Sequence, residues 1–125
     1  MAEPRVLLVD DELTSAEVLG LILAEDGFHV TLAGNGQQAL ERLAQAAPDV
    51  LVTDFMMPGM HGADLVKAVR AMPAWRELPV LMISAAPHGA LRAYNVTYDA
   101  FLRKPFGLDQ FLETVRALVA ATRGS

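Results

Sequence analysis

Val50-Leu51-Val52-Thr53-Asp54 is a short apolar run that ends in an acid, and the turn residues Pro58-Gly59 follow it closely. A continuous run of aliphatic and β-branched residues, without polar alternation, is typical of a strand that is buried on both faces of a parallel sheet. Asp54 would then stand at the carboxyl end of an interior strand. The rest of the chain can be arranged around this strand.

Four more segments are strand candidates. Residues 6–9 and 80–83 repeat the continuous apolar pattern, whereas residues 29–33 and 99–102 are more mixed. Mixed composition is expected of edge strands, which are covered less completely. We therefore place the three continuous runs in the interior of the sheet and the two mixed runs at its edges.

Segments of helical period lie between and after these runs. Their apolar positions recur at about 3.6-residue spacing, and the segments are 14–23, 39–47, 65–72 and 108–119. Thr14 and Glu17 form a capping-box pattern at the start of the first segment, and Pro48 follows the end of the second. The stretch from 88 to 96 is the poorest helix candidate, since it contains Gly89 and follows Pro87. Five βα units in succession predict an α/β fold with a parallel sheet and right-handed crossovers.

Composition limits both size and partners. A chain of 125 residues suits one domain, here 1–125 with a core of about 4–120 and a short tail. The net charge of −5 argues against direct binding of nucleic acid or of an anionic membrane surface. The chain has no cysteine, no apolar run of the roughly 20 residues that span a bilayer and no signal-peptide pattern at its start, so we expect a cytoplasmic protein.

Polar side chains follow most of the predicted strands. Asp10 and Asp11 come after the first run, Asp54 after the third, Ser84 after the fourth and Lys104 shortly after the fifth. Because the carboxyl ends of parallel strands share one edge of the sheet, where ligands bind in open α/β folds, these groups should converge.

Such a cluster needs positive charge. Three neighbouring carboxylates repel one another, and a divalent cation together with Lys104 would balance them. Oxygen ligands without histidine or cysteine favour magnesium, Mg²⁺. A metal, a lysine and a hydroxyl are the components of phosphoryl transfer, and Asp54, on the central strand, is the best candidate to accept the phosphoryl group as an acyl phosphate.

The motifs now in view resemble the response regulator receiver domains of two-component signalling. They are Val-Asp-Asp-Glu at 9–12, Asp-Phe-Met-Met-Pro-Gly-Met-His-Gly at 54–62, Ser-Ala at 84–85 and Phe-Leu-Arg-Lys-Pro-Phe at 101–106. The resemblance covers essentially the whole chain. It implies a doubly wound, flavodoxin-like (βα)5 receiver fold with five parallel strands in the order 2-1-3-4-5.

The same resemblance implies a role for each site residue. Asp54 would accept a phosphoryl group from a sensor histidine kinase or a histidine phosphotransfer protein, and Asp11, Asp54 and the backbone carbonyl of Met56 would hold Mg²⁺, with Asp10 acting mostly through water. The remaining roles are switch and charge-pairing roles: Lys104 would pair with Asp54 and then with the phosphoryl group, Ser84 would move onto a phosphoryl oxygen, Phe101 would turn inward, and the Lys104–Pro105 bond would be cis. The protein would then present a changed face to an unknown downstream protein, as a phosphoprotein with weak self-phosphorylation and self-dephosphorylation rather than as an enzyme.

The sequence departs from the family pattern in two places. His61 stands where an acid or amide is usual, and Thr97-Tyr98 replace a small pair before the fifth strand. The interval between Ser84 and Lys104 is also short. These features predict a shortened or partly irregular fourth helix, with Tyr98 filling the space beside it.

Other functions stay open at this stage. An Asp-based phosphohydrolase normally needs a second acid two residues after its nucleophile, where this chain has Met56. A receiver-like binding module that is never phosphorylated usually lacks one of the acids or the lysine, and this chain has all of them. Simpler structural alternatives also remain, since Asp10-Asp11 could be a solvated helix start and Phe101 an ordinary core residue.

Overall fold

The computed structural model describes residues 3–123, which alternate between strands and helical segments. The strands are β1 (Arg5–Val9), β2 (His29–Ala33), β3 (Val50–Asp54), β4 (Val80–Ser84) and β5 (Ala100–Arg103). The α-helices are α1 (Leu13–Glu25), α2 (Gly36–Ala46), α3 (Gly62–Arg70) and α4 (Leu108–Arg123). Two 3₁₀ segments, Pro73–Trp75 and His88–Tyr94, lie before and after β4.

The strands form one parallel sheet in the order β2-β1-β3-β4-β5. The predicted strand order and the predicted edge positions of the two mixed strands are therefore confirmed. β3 lies in the middle, and its register pairs Thr53 with Val9 of β1 and Asp54 with Ile83 of β4. This register brings the ends of β1, β3 and β4 to one edge of the sheet.

A hydrophobic core covers each face of the sheet. Successive residues of a strand point to opposite faces, so Leu7 and Leu51 join the cluster under α2 and α3, while Leu8 and Val52 join the cluster under α1 and α4. All four side chains are at most 1% exposed. Burial on both faces is the reason that the interior strands are continuous apolar runs.

The start of the first helix differs from the sequence prediction. α1 begins at Leu13 with Glu12 as its N-cap, so the capping box assigned to Thr14 and Glu17 is wrong. Glu12 is held by two neighbours instead: its backbone N–H donates to the Asp10 carboxylate at 2.9 Å, and its own carboxylate accepts from the Ser15 hydroxyl at 2.8 Å. The bond to Asp10 stands at the observed N-cap, two residues before the N-cap that the pattern predicts.

The fourth crossover is a 3₁₀ segment in place of an α-helix. Residues His88–Tyr94 form this segment, which ends at Asn95 in the left-handed region with φ of 48°. The predicted irregular fourth helix is thus confirmed, and the five βα units contain four α-helices. Among residues 3–123, no helix has the length and apolar character that a membrane crossing requires.

Candidate phosphoacceptor and metal site

Three carboxylates meet at the carboxyl edge of the sheet. Asp10 and Asp11 directly follow β1 and Asp54 ends β3, and one oxygen of each lies within 4.8 Å of the others. Asp10 is buried, Asp11 is exposed, and the Asp54 side chain is 11% exposed. The group therefore reaches from the interior to solvent, as a site that exchanges ligands must.

Lys104 supplies positive charge to this group. Its Nζ lies 3.0 Å from Oδ1 of Asp54. Burial lowers the pKa of Lys104, but the carboxylates of Asp54 and Asp10 outweigh that effect and raise it above its ordinary value. The lysine is therefore held in its charged form beside the central aspartate.

One ammonium does not compensate the buried acids. Burial raises the pKa of Asp54, and the bond and charge of Lys104 offset only part of that rise. Burial likewise raises the pKa of Asp10, against the opposing effects of the Glu12 N–H and of Lys104. The ionised cluster is under-neutralised, and a hard divalent cation bound by oxygen ligands is the species that would relieve it.

Backbone contacts fix the loop that follows Asp54. The N–H of Phe55 donates to the carbonyl of Ile83, and the carbonyl of Phe55 accepts from the N–H of Gly62, both at 2.7 Å. A Cβ at Gly62 would clash with the carbonyl oxygen of Asp54, so only glycine lets α3 start this close to the strand. Met56, two residues after Asp54, has a side chain that is 56% exposed.

Ser84 and Lys104 are joined through the backbone at the next strand ends. Ser84 is 1% exposed, and its Oγ accepts a hydrogen bond from the N–H of Ala86 at 3.0 Å. Its carbonyl accepts from the N–H of Lys104 at 2.8 Å. The peptide bond between Lys104 and Pro105 is cis.

Phe101 lies in the edge strand β5. It is half-buried in β5 and packs against the core cluster under α2 and α3. Tyr98 packs against that cluster too, and the two rings lie 6.2 Å apart at 40°. That cluster also contains Leu91 of the 3₁₀ segment; that Tyr98 fills space beside this segment stays a prediction.

Sequence reasoning missed an aromatic group next to the site. The ring of Phe55 stacks on His61 with centroids 5.9 Å apart, and Tyr94 meets Phe55 edge-on at 4.8 Å. Nδ1 of His61 is buried without a hydrogen-bond partner among the described residues. No local pattern connects residues 55 and 94, and the only signal in the sequence was the unusual histidine at position 61.

A cleft of about 470 Å³ opens beside the carboxylates. It lies between α1 and the start of α4, and Asp54 and Lys104 line it together with Val18 and Leu108. These two apolar side chains are 46% and 48% exposed. The acidic site is thus reached from solvent through an opening with a partly apolar rim.

Comparison with known proteins gives consistent results. The family described as "Response regulator receiver domain" matches residues 6–116. Response regulator MprA of Mycobacterium leprae is 36% identical over 121 residues, which are 95% of this chain and 52% of MprA. The chain therefore spans about half the length of the curated relatives that it matches.

Solved structures agree with the fold. Chemotaxis protein CheY4 of Vibrio cholerae has a TM-score of 0.88 and 30% identity, covering 94% of this chain and 99% of CheY4. Response regulator TrrA of Thermotoga maritima, solved in complex with Mg²⁺ and BeF, has a TM-score of 0.82 and 28% identity, covering 92% of this chain and 98% of TrrA.

Proposed function

The chain belongs to the response regulator receiver domain family, and from this premise we propose that Asp54 accepts a phosphoryl group from a phosphohistidine. The donor is a sensor histidine kinase or a histidine phosphotransfer protein. The observation that carries the assignment is the position of Asp54, which ends the central strand inside the group of three carboxylates with Lys104 Nζ at 3.0 Å. The cleft between α1 and α4 is the route by which the donor imidazole reaches it.

The transfer forms one bond and breaks one. A carboxylate oxygen of Asp54 attacks phosphorus, the P–N bond of the phosphohistidine breaks, and its electron pair remains on the imidazole. The product is an acyl phosphate on Asp54. Lys104 is placed to neutralise the charge that the phosphoryl oxygens bring into the cluster.

The donor set fits a magnesium ion. Asp11, Asp54 and the backbone carbonyl of Met56 would hold Mg²⁺, with Asp10 contributing through water; all are hard oxygen donors in a group that lacks positive charge. When bound, the ion neutralises charge on the transferring phosphoryl group.

The output is a change of conformation. The Ser84 hydroxyl donates a hydrogen bond to a phosphoryl oxygen, Phe101 turns inward, and the altered surface binds a downstream protein differently. The domain acts as a phosphoacceptor that uses small phosphodonors weakly and hydrolyses its own acyl phosphate slowly.

Intact mass spectrometry tests the proposal. The parent protein, incubated with Mg²⁺ and acetyl phosphate, should gain the mass of one phosphoryl group, and Asp54→Asn should gain none. Asp64→Asn, an exposed acid in the first turn of α3, is the matched control and should behave as the parent. Phosphorylation that persists in Asp54→Asn would place the acceptor elsewhere, and a folded parent that gains no mass from acetyl phosphate or a phosphohistidine donor would overturn the proposal.

A further inference from the structure

The aromatic group beside the site connects it to the 3₁₀ segment His88–Tyr94. Tyr94 is the last residue of that segment, and its ring meets Phe55 edge-on at 4.8 Å and 78°. It also lies 6.2 Å from His61, edge to face. Phe55 is the residue that directly follows Asp54, so a ring contact joins the segment to the neighbour of the phosphoacceptor.

The two sides of this contact are held differently. Phe55 is 3% exposed and is fixed by backbone bonds to Ile83 and Gly62. Tyr94 is 36% exposed and belongs to a 3₁₀ segment, in which hydrogen-bond geometry is poorer than in an α-helix. Phe55 is therefore the fixed partner, and Tyr94 belongs to the part that can move.

The other end of the segment depends on Ser84. The Ser84 Oγ accepts the N–H of Ala86 and so closes the turn that leads into residue 88. If the Ser84 side chain turns to donate a hydrogen bond to a phosphoryl oxygen, its Oγ no longer accepts the hydrogen bond from the Ala86 N–H. The turn at 85–87 then loses its side-chain bond, and the segment that follows it is held by the burial of Leu91 and by the ring of Tyr94.

We propose that the Tyr94–Phe55 contact is a latch that holds segment 88–94 in its unphosphorylated position and opens when Asp54 is phosphorylated. This inference rests on the function proposed above. Because a contact made in only one of two states favours that state, the latch opposes phosphorylation of the site, and removing it should favour the phosphorylated state. Tyr94 is thus a positioning residue that acts on the site through Phe55.

The affinity for a phosphoryl analogue measures this coupling. Beryllium fluoride with Mg²⁺ is the probe, titrated into the parent and into Tyr94→Ala and Tyr94→Phe. Because an edge-to-face aromatic pair has a modest energy, Tyr94→Ala should bind the probe about two- to tenfold more tightly than the parent. Tyr94→Phe keeps the ring and should bind as the parent does, and so should Arg92→Ala, an exposed residue of the same segment.

A second measurement follows the ring directly. The chain has two tyrosines, Tyr94 and Tyr98, so 3-fluorotyrosine gives two ¹⁹F signals that the single Tyr→Phe variants assign. The Tyr94 signal should shift as the probe saturates the site. Unchanged affinity in Tyr94→Ala together with an unmoved Tyr94 signal in a saturated protein would overturn the latch and leave the phosphoacceptor assignment intact. Absence of probe binding in the folded parent would overturn both.

Discussion

Gly62 shows how one residue sets the geometry of the site. It is the first residue of α3, and an added Cβ would meet the Asp54 carbonyl oxygen, the Phe55 Cα and the Met82 Sδ. Two of these three atoms belong to Asp54, which ends β3, and to Phe55, which follows it. The helix therefore approaches β3 closely only because position 62 has no side chain.

Gly62→Ala should consequently weaken both the fold and the chemistry. Overpacking at this point should lower the free energy of unfolding by roughly 1–3 kcal/mol, because backbone atoms cannot yield as the end of a side chain can. Displacement of Asp54 should also slow phosphorylation by acetyl phosphate. Urea unfolding and the mass assay measure the two effects, with Gly89→Ala as the control, since a Cβ there meets nothing within 4 Å. Parent-like stability of Gly62→Ala would show that the loop can move away freely.

At the scale of secondary structure, the sequence predicted the features that depend on burial. Strands buried on both faces must be continuous apolar runs, and the polar residues that follow them must meet at one edge, so residues 50–54 and Lys104 could be placed from the sequence alone. The α1 start was missed because the Asp10 carboxylate sets it through the Glu12 N–H, and a side-chain pattern does not contain that bond. The ring contact between Phe55 and Tyr94 was missed because it joins distant residues through the path of an irregular segment.

Arg70 links three elements at the opposite edge of the sheet from the carboxylates. Its guanidinium donates to the carbonyls of Arg76 and Leu78 at 2.9 and 2.7 Å and pairs with Asp99 at 3.2 Å. Asp99 in turn accepts the backbone N–H of Val80 at 2.8 Å. The end of α3, the start of β4 and the approach to β5 are therefore tied to one side chain that is 19% exposed.

Arg70→Ala should destabilise the protein by roughly 2–4 kcal/mol, since it leaves carbonyls and a carboxylate without their charged donor. Hydrogen exchange should increase at the N–H groups of Val80 and Asp99 more than in β1. Lys67→Ala, an exposed cation one turn earlier on α3, is the control and should change little. If Arg70→Ala lowers the free energy of unfolding no more than Lys67→Ala does, the proposed link between the three elements is wrong.

The whole molecule carries a site whose ionisation opposes its folding. Burial raises the pKa of both Asp54 and Asp10. A carboxyl with a higher pKa in the folded state contributes stability below its unfolded pKa of about 4, and that contribution is lost as the pH rises through the folded value. In the absence of divalent cations, these two groups should therefore make the protein less stable at neutral pH than their neutral forms would.

Asp54→Asn should accordingly be more stable than the parent at pH 7 in EDTA, with the difference narrowing as the pH falls toward 4. Asp26→Asn is a control of opposite sign. The hydrogen bond from Arg116 lowers the pKa of Asp26, so the ionised Asp26 stabilises the fold at neutral pH and this stabilisation is lost in acid.

Mg²⁺ should make the parent more stable than Asp54→Asn at pH 7. A ligand that binds only the folded state adds stability in proportion to the logarithm of its concentration above Kd. The parent should gain from Mg²⁺ at pH 7, and Asp54→Asn should gain much less. Urea unfolding across pH, with and without Mg²⁺, measures the free energy of unfolding of the parent, Asp54→Asn and Asp26→Asn. A parent that is more stable than Asp54→Asn in EDTA at pH 7 would show that Lys104 alone neutralises the cluster.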